Sequence, residues 1–540
     1  MLENDYVAPP KAGRKEWVGL AVLSLACLLY VMDLSVLYLA VPSLARDLAP
    51  SSSQLLWITD IYGFMVAGFL ITMGTLGDRI GRRRVLLFGA AAFGCASVVA
   101  AFSTSAEMLI VARAALGIAG ATVAPSTLSL IRNMFLDPRQ RTSAIGLWGM
   151  SFALGGAIGP LVGGALLEHF WWGSVFLINV PVMALLLVLG PKLLPEFRDP
   201  DAGRPDVTSA AMSLTAVLAV IYGLKHIAQN GFGLLAGLSI AAGLAIGVSF
   251  VLRQTRLADP LIDLQLFRRR TFSVSVATNA LVGFIAFGTF LYTAQYLQLV
   301  LGLSPWQAGL WSLPSSIGVV LSSLLAPMIL RRVRPAFAAA GGLAFVAVGL
   351  ATLTQVDAAG GLAVLVTGSI VFALGLGPLF ILTTDLIVGS APPERAGAAS
   401  AISETGAELG GALGIAILGS VGAAVYRGQV IEAVPAGMSP VAADAARDTL
   451  GGALSVAQQL PERLGQGLVE AARIAFTDGL HLTSAVGAAI AIGVGILVAT
   501  QLRQAQAGSG SQDGAELQPD EGEGGSGAVD EVVSRIPSER

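Results

Sequence analysis

Among the ionisable residues inside long apolar stretches of this chain, five could do chemistry: Asp33, Asp60, Arg113, Glu404 and Glu408. In hydrocarbon such a side chain costs at least about 2.5 to 3.5 kcal/mol near a helix centre, so each marks a place where charge is used. Asp33 lies roughly 24 Å of helical rise into its stretch, and Asp60 and Arg113 about five residues into theirs. If successive stretches run in opposite directions, the three share one depth in the outer half and can meet. Arg113 would favour ionised carboxylates and the apolar surroundings protonated ones, so an arriving proton or cation tips the balance. The alternative is a fixed ion pair between Arg113 and one acid, which pins helices together. Glu404 and Glu408 stand at i and i+4 on one helical face. Two carboxylates so placed do not both ionise cheaply, and at least one holds a proton that can be exchanged or replaced by a cation. The alternative is that Glu404 reaches solvent.

The elements that carry these residues are legible in the composition. Of 540 residues, 54% are hydrophobic and 12% charged, against about 25% charged in soluble domains. An ordinary soluble enzyme is excluded. The apolar runs are about 20 residues long, the span of a bilayer, and fall near 17–41, 55–76, 85–103, 108–131, 142–167, 171–191, 207–228, 232–252, 272–299, 306–330, 336–355, 361–389, 397–426 and 473–501. This predicts an all-α integral membrane protein with fourteen transmembrane helices. A β-barrel is excluded because its strands alternate over about ten residues. The first run is too long for a secretory signal and lacks a cleavage site after it, so it reads as a retained helix. Lys and Arg fill alternate connections, among them Arg82 to Arg84 and Arg268 to Arg270, while the intervening loops carry almost only Arg46. By the positive-inside rule both termini are cytoplasmic.

The expected organisation is a cytoplasmic segment 1–16, a six-helix half 17–191, two linker helices 207–252 and a second six-helix half 272–501. Within that second half, 427–472 forms an outward loop with a surface hairpin or short interfacial helix. Residues 504–540, rich in Gly, Ser, Gln, Asp and Glu, read as a disordered cytoplasmic tail. A net charge of -3 argues against a nucleic-acid partner, and two cysteines, Cys27 and Cys95, provide neither a disulfide framework nor a metal site. No cofactor is expected, and the phosphate loop of an ATP-driven pump does not occur in the chain. Other polar residues carry weaker signals. Lys225 and His226 read as snorkelling to the outer surface, Asp385 as a cap or a partner of Arg395, and His169 and His481 as lacking a partner. Trp148 with Phe284, Phe287, Phe290, Tyr292 and Tyr296 could line an apolar pocket, or meet lipid or core instead.

Three glycine and arginine patterns remain. Gly74, Gly77, Asp78, Arg79, Gly81 and Arg82 form a tight basic turn between helices two and three. Its spacing resembles G-x-L-x-D-R-x-G-R-R, the signature of the major facilitator superfamily, which in that family latches the two halves in one access state. Arg113 with Gly117 and Gly120 resembles the family's fourth-helix proton-transfer motif. Gly146, Gly155, Gly159, Pro160, Gly163 and Gly164 fit the antiporter motif G-x8-G-x3-G-P-x2-G-G in helix five. There small residues let helices approach closely and the proline frees a carbonyl, so the helix can bend. Met32-Asp33 through Ala40-Val41-Pro42, Trp57 through Tyr62, and Ala396 through Gly411 resemble segments of the fourteen-helix drug:proton antiporters. The resemblance implies two six-helix pseudo-symmetric halves with two inserted central helices, a cavity between the halves, and rocking between access states. It assigns the positions of Asp33, Asp60, Glu404 and Glu408 to protonation or cation recognition.

The function so implied is a proton-coupled secondary efflux transporter, exporting amphipathic and cationic drugs or toxic compounds. Its partners are small amphipathic substrates, protons and the bilayer, its expected unit is a monomer, and its place is the cytoplasmic (inner) membrane of a bacterium. The alternative is a dedicated exporter of one endogenous metabolite such as an antibiotic, lipid or siderophore. A membrane enzyme would need a catalytic constellation, and none gathers at one depth. Helix ten, Gln307 to Leu330, lacks the acid that some polyspecific cation exporters carry, which argues against a broad dication range.

Overall fold

A computed structural model describes residues 11–198, 206–257, 260–330, 332–391, 396–435 and 438–513. Fourteen helices in them are long and apolar enough to cross a membrane. They are α1 (Arg14–Leu48), α2 (Ser52–Ile80), α3 (Arg82–Ala101), α4 (Ala106–Met134), α5 (Pro138–His169), α6 (Ser174–Leu193) and α7 (Val207–Asn230). There follow α8 (Leu234–Gln254), α9 (Arg270–Val300), α10 (Pro305–Leu330), α11 (Pro335–Leu353), α12 (Leu362–Gly389), α13 (Ala396–Val430) and α14 (Glu462–Asp513). Their ends are set by ordinary capping chemistry. Ser51 and Gln54 make a capping box at α2, Ser105 caps α4, and Asp137 followed by proline starts α5. α4 breaks at Ala121 and Thr122, and α6 breaks at Ile178, just before Asn179.

α1–α6 and α9–α14 form the two halves, and α7 and α8 are the inserted pair. Within the first half α1 packs on α5, and α2 on α4; within the second, α9 packs on α13, α10 on α12, and α11 on α12 and α14. Across the seam α2 meets α13 and α5 meets α10. Three polar contacts across this seam lie at the end opposite the described chain ends. Gln298 Nε2 donates to the Leu39 carbonyl at 2.9 Å, Arg427 Nη2 to Ser52 Oγ at 3.1 Å, and the Trp306 amide to Glu168 at 3.4 Å. At the opposite end, where α1 begins and α14 finishes, a Cβ added at Gly146, Gly149 or Gly389 would meet nothing within 4 Å. Leu147 and Met150 are exposed there. The seam is bonded at one end, here called closed; the other, where these α5 and α12 positions face open space, is here called the splayed end.

The loop between α13 and α14 holds short helices, as one of the two expected forms, and they dock on the bundle. Two short helices, Pro440–Asp448 and Leu450–Ala457, are capped by Ser439 and Thr449, and α14 begins at Glu462, before the expected 473. Leu450, Ala453, Val456 and Ala457 are buried, and a Cβ at Gly451 would stand 3.3 Å from Ala45 of α1. The weak amphipathic pattern marks a protein contact, so this hairpin docks on the bundle. At the far end, α14 continues to Asp513, so residues 504–513, expected to be disordered, are helical. Gln501 to Ala507 alternate strong helix formers, which lets the helix run on past the apolar span. The remainder of the expected tail, 514–540, the segment before Lys11 and Arg395 lie outside the described residues.

Candidate functional site

The charged residues form two buried ion pairs and one unpaired acidic face. Arg113, fully buried, closes on Asp33 through Nη1 and Oδ2. Asn179, the first residue after the break in α6, donates its side-chain amide to Asp33 Oδ1 at 3.1 Å and to Ser97 at 3.2 Å. Arg113 Nε donates to the Ile58 carbonyl at 3.2 Å, and the guanidinium carbon stands 4.7 Å from the centre of the Tyr62 ring. Asp33 is therefore held by a cation from α4 and an amide from α6, with an aromatic face of α2 against the guanidinium, and its charge is balanced inside the first half.

Asp60 turns elsewhere. Its Oδ2 accepts from Lys225 Nζ at 2.7 Å, both side chains are buried, and the ammonium lies 3.8 Å from the centre of the Trp57 ring. The expectation that two acids share Arg113 is corrected to two acids with a base each. The expectation that Lys225 snorkels is corrected with it: α7 packs against α2, and a carboxylate at hydrogen-bond distance outweighs a path to the surface.

Glu404 and Glu408 are half-buried on α13. Tyr30 of α1 donates its hydroxyl to Glu408 Oε1 at 2.8 Å, a bond that crosses from one half to the other. Among the described residues no basic side chain pairs with either acid. Asp385 is exposed near the splayed end of α12. Between the halves, α1, α5, α9, α10 and α12 enclose a cavity of about 170 Å³. Its walls combine Tyr38, Phe287, Phe290 and Phe372 with Ser312 and Ser315. Phe287 and Phe290 thus line a pocket, whereas Tyr292 bonds the Gly419 carbonyl at 3.1 Å, and Tyr296 bonds the Asp357 carbonyl, inside the second half. Trp148 donates to Thr127 at 3.0 Å, and His481, expected to lack a partner, shares a 2.7 Å bond with the Val356 carbonyl.

The basic turn is stitched within its own half. Asp78 accepts from Arg82 at 2.7 Å, and Glu196, just past α6, takes Arg83 and Arg84 at 3.5 and 3.7 Å. Arg79 is exposed. Gly74 and Gly77 stand on the last turns of α2, where a Cβ at Gly77 would press Arg82 Cδ at 2.9 Å. Gly81 has φ +117°, and a side chain there would strike the Glu196 carboxylate. Gly81→Ala is expected to lower stability by about 1–2 kcal/mol from the left-handed backbone alone, read as a lower melting temperature of the purified chain.

Along α5 the glycines divide by partner. Cβ atoms at Gly155, Gly159 and Gly163 would collide with Leu28, Ser35 and Val36 of α1. Gly164 meets the Pro305 carbonyl across the seam, and Pro160 offers its carbonyl to Gly309 of α10. Gly146 touches nothing, so in this conformation it serves no helix contact.

A family model for the Major Facilitator Superfamily matches residues 23–415. This chain belongs to that superfamily. It is 43% identical to the multidrug efflux pump LfrA of Mycolicibacterium smegmatis over 91% of this chain and 97% of that protein. It is 35% identical to the methyl viologen resistance protein SmvA of Salmonella typhimurium, over 89% and 98%. Among solved structures it resembles a bacterial homolog of the human lysosomal transporter Spinster, in an inward-facing, unoccupied conformation, with a TM-score of 0.64 and 19% identity over 91% and 98% of the chains. Its helices thus form the bundle of a multi-span membrane transporter family.

Three residues of this superfamily member escaped sequence reasoning, and a fourth, Lys225, was misread. Asn179 and Tyr30 are uncharged and look like ordinary helix residues. Lys225 was visible as an ionisable group in an apolar run, but its partner was not. Glu196 is a lone acid in a basic connection, which was the signal available for it.

Proposed function

We propose that this chain is a proton-coupled secondary efflux transporter, an antiporter that exports amphipathic and cationic drugs or toxic compounds by alternating access. The observation that carries the reading is the Glu404/Glu408 face: two intramembrane acids that pair with no base among the described residues, one of them bonded to Tyr30 of the opposite half. A bond across the seam changes when the halves rock, so the proton occupancy of Glu408 and the access state are coupled through Tyr30. Asp33 supplies a second site, because a proton there cancels the charge that faces Arg113. The relatives named for multidrug efflux and methyl viologen resistance support cationic cargo.

In this reading the splayed side is cytoplasmic, both termini lie on it, and the membrane is the inner membrane of a bacterium. Cargo enters the aromatic and hydroxyl-lined cavity from the cytoplasm while the acids are ionised. Protons arriving from outside neutralise them after the halves rock, and cargo leaves. The chain acts as a monomer, and the Asp78–Arg82 turn engages the second half when the splayed side closes. A second reading, a dedicated exporter of one endogenous metabolite, is favoured by the cavity wall on α10, where Ser312 and Ser315 stand and the helix has no acid. A relative in Streptomyces glaucescens, 32% identical over 91% of this chain and 92% of its own length, is a tetracenomycin C resistance and export protein.

Proteoliposomes with an internal pH dye separate the two. Under an imposed proton gradient, tetraphenylphosphonium or methyl viologen should drive proton flux through the wild type. No flux with either cation, from folded protein, would favour the metabolite exporter.

A further inference from the structure

Asp60 is held in a way that the family motifs leave unexplained. A carboxylate offers about four acceptor positions, yet Oδ1 of Asp60 is buried with no hydrogen-bond partner, while Oδ2 binds Lys225. A permanent structural pair at this depth ordinarily has its remaining acceptors filled. The ammonium also lies between the carboxylate and the indole of Trp57, three residues earlier on α2. A carboxylate beside an aromatic face is how proteins hold ligand cations. Here a side chain of the inserted pair occupies that box.

The location gives the occupant a role. α7 packs against both α2 and α13, and Phe64, Ile221, Ala412 and Ala416 of the three helices share one buried cluster. The box therefore opens on the seam between the halves and is closed by a helix belonging to neither. Arg113 is committed to Asp33, so Lys225 is the cation that sets the charge at Asp60.

We propose that Lys225 is a tethered stand-in for the cationic group of the substrate: it fills the Trp57–Asp60 box, and a lipophilic monocation competes with it for Asp60 when α7 draws back from the seam. This rests on the reading that the cargo is cationic. Lys225 is then a specificity-determining residue carried by the inserted helices, which gives that pair a part in the transport cycle.

The competition fixes opposite signs for two variants, which a purely structural ion pair does not. With full-length protein in detergent and tetraphenylphosphonium as the titrated probe, Lys225→Met should bind about tenfold more tightly than wild type, because Asp60 is released. Asp60→Asn should bind about tenfold more weakly, because an uncompensated Lys225 repels the probe, and the double variant should fall within about threefold of wild type; each tenfold step is about 1.4 kcal/mol. Lys225→Gln, which keeps a donor to Asp60, replaces Lys225→Met if that variant does not fold. If neither folds, Asp60→Asn decides, with weakened binding supporting competition and unchanged binding overturning it. Equal affinities in all folded variants, with only melting temperatures lowered, would overturn the proposal and leave a structural pair. No binding by the wild type would instead overturn the cation-efflux reading, and the proposal with it.

Discussion

Asp33→Asn is expected to reduce proton-coupled export to background while the chain remains in the membrane. The amide has the size of the carboxylate and can still accept from Asn179, so the local packing is kept. What it loses is the charge facing Arg113, which then keeps the Ile58 carbonyl and the rings of Tyr62 and Phe176. Removing one member of a buried pair costs about 3–5 kcal/mol, a large part of the stability of an ordinary domain. Lost export could therefore reflect lost fold. Asp33→Asn/Arg113→Gln separates the two, since with both charges gone most of the melting temperature should return and none of the export. Dye-loaded proteoliposomes and thermal unfolding of the three proteins are the measurements. If the double variant exports against a gradient, the pair only holds helices together, and proton coupling at Asp33 is wrong.

The contrast between Asp33 and Asp60 shows how far sequence reading reaches in this fold. Helix number and order were legible because a bilayer demands about 20 apolar residues per span, and the acids were legible because charge in such spans is rare. The glycines of α5 were legible as close contacts because their periodicity places Gly155, Gly159 and Gly163 on one face. Partners were not legible. Which base meets Asp60 depends on where α7 docks, and the inserted pair has no counterpart in either half to suggest a register. Tyr30 could not be matched to Glu408 because the two lie on different halves, and their approach depends on the access state. What the short helix before α14 packs against was not legible for a related reason: an apolar face over eight residues looks the same whether it meets lipid or protein. Gly146 follows the motif spacing yet contacts nothing, because spacing alone does not say which helix each glycine faces.

That difference among the glycines predicts variants with opposite conformational bias. Gly309 abuts the Pro160 carbonyl at the closed end of the seam, so Gly309→Leu forces backbone against backbone and should drive the outer end open. Gly146 faces open space at the splayed end, so Gly146→Leu is accommodated here and obstructs closure of that end. Overpacking of this kind costs about 1–3 kcal/mol, enough to shift a two-state population about 5- to 150-fold. Both variants should lose export, for opposite reasons. A single cysteine at Ser315 in the cavity reads the bias, with Cys27 and Cys95 replaced by alanine. Oriented vesicles would be treated with an impermeant maleimide from either side. Gly309→Leu should raise labelling from the outer side, whereas Gly146→Leu should keep inner labelling and abolish outer. Labelling of both variants in the wild-type pattern would mean that α5 and α10 do not form the moving seam, and that the splayed end is a fixed feature of the bundle rather than one state of a cycle.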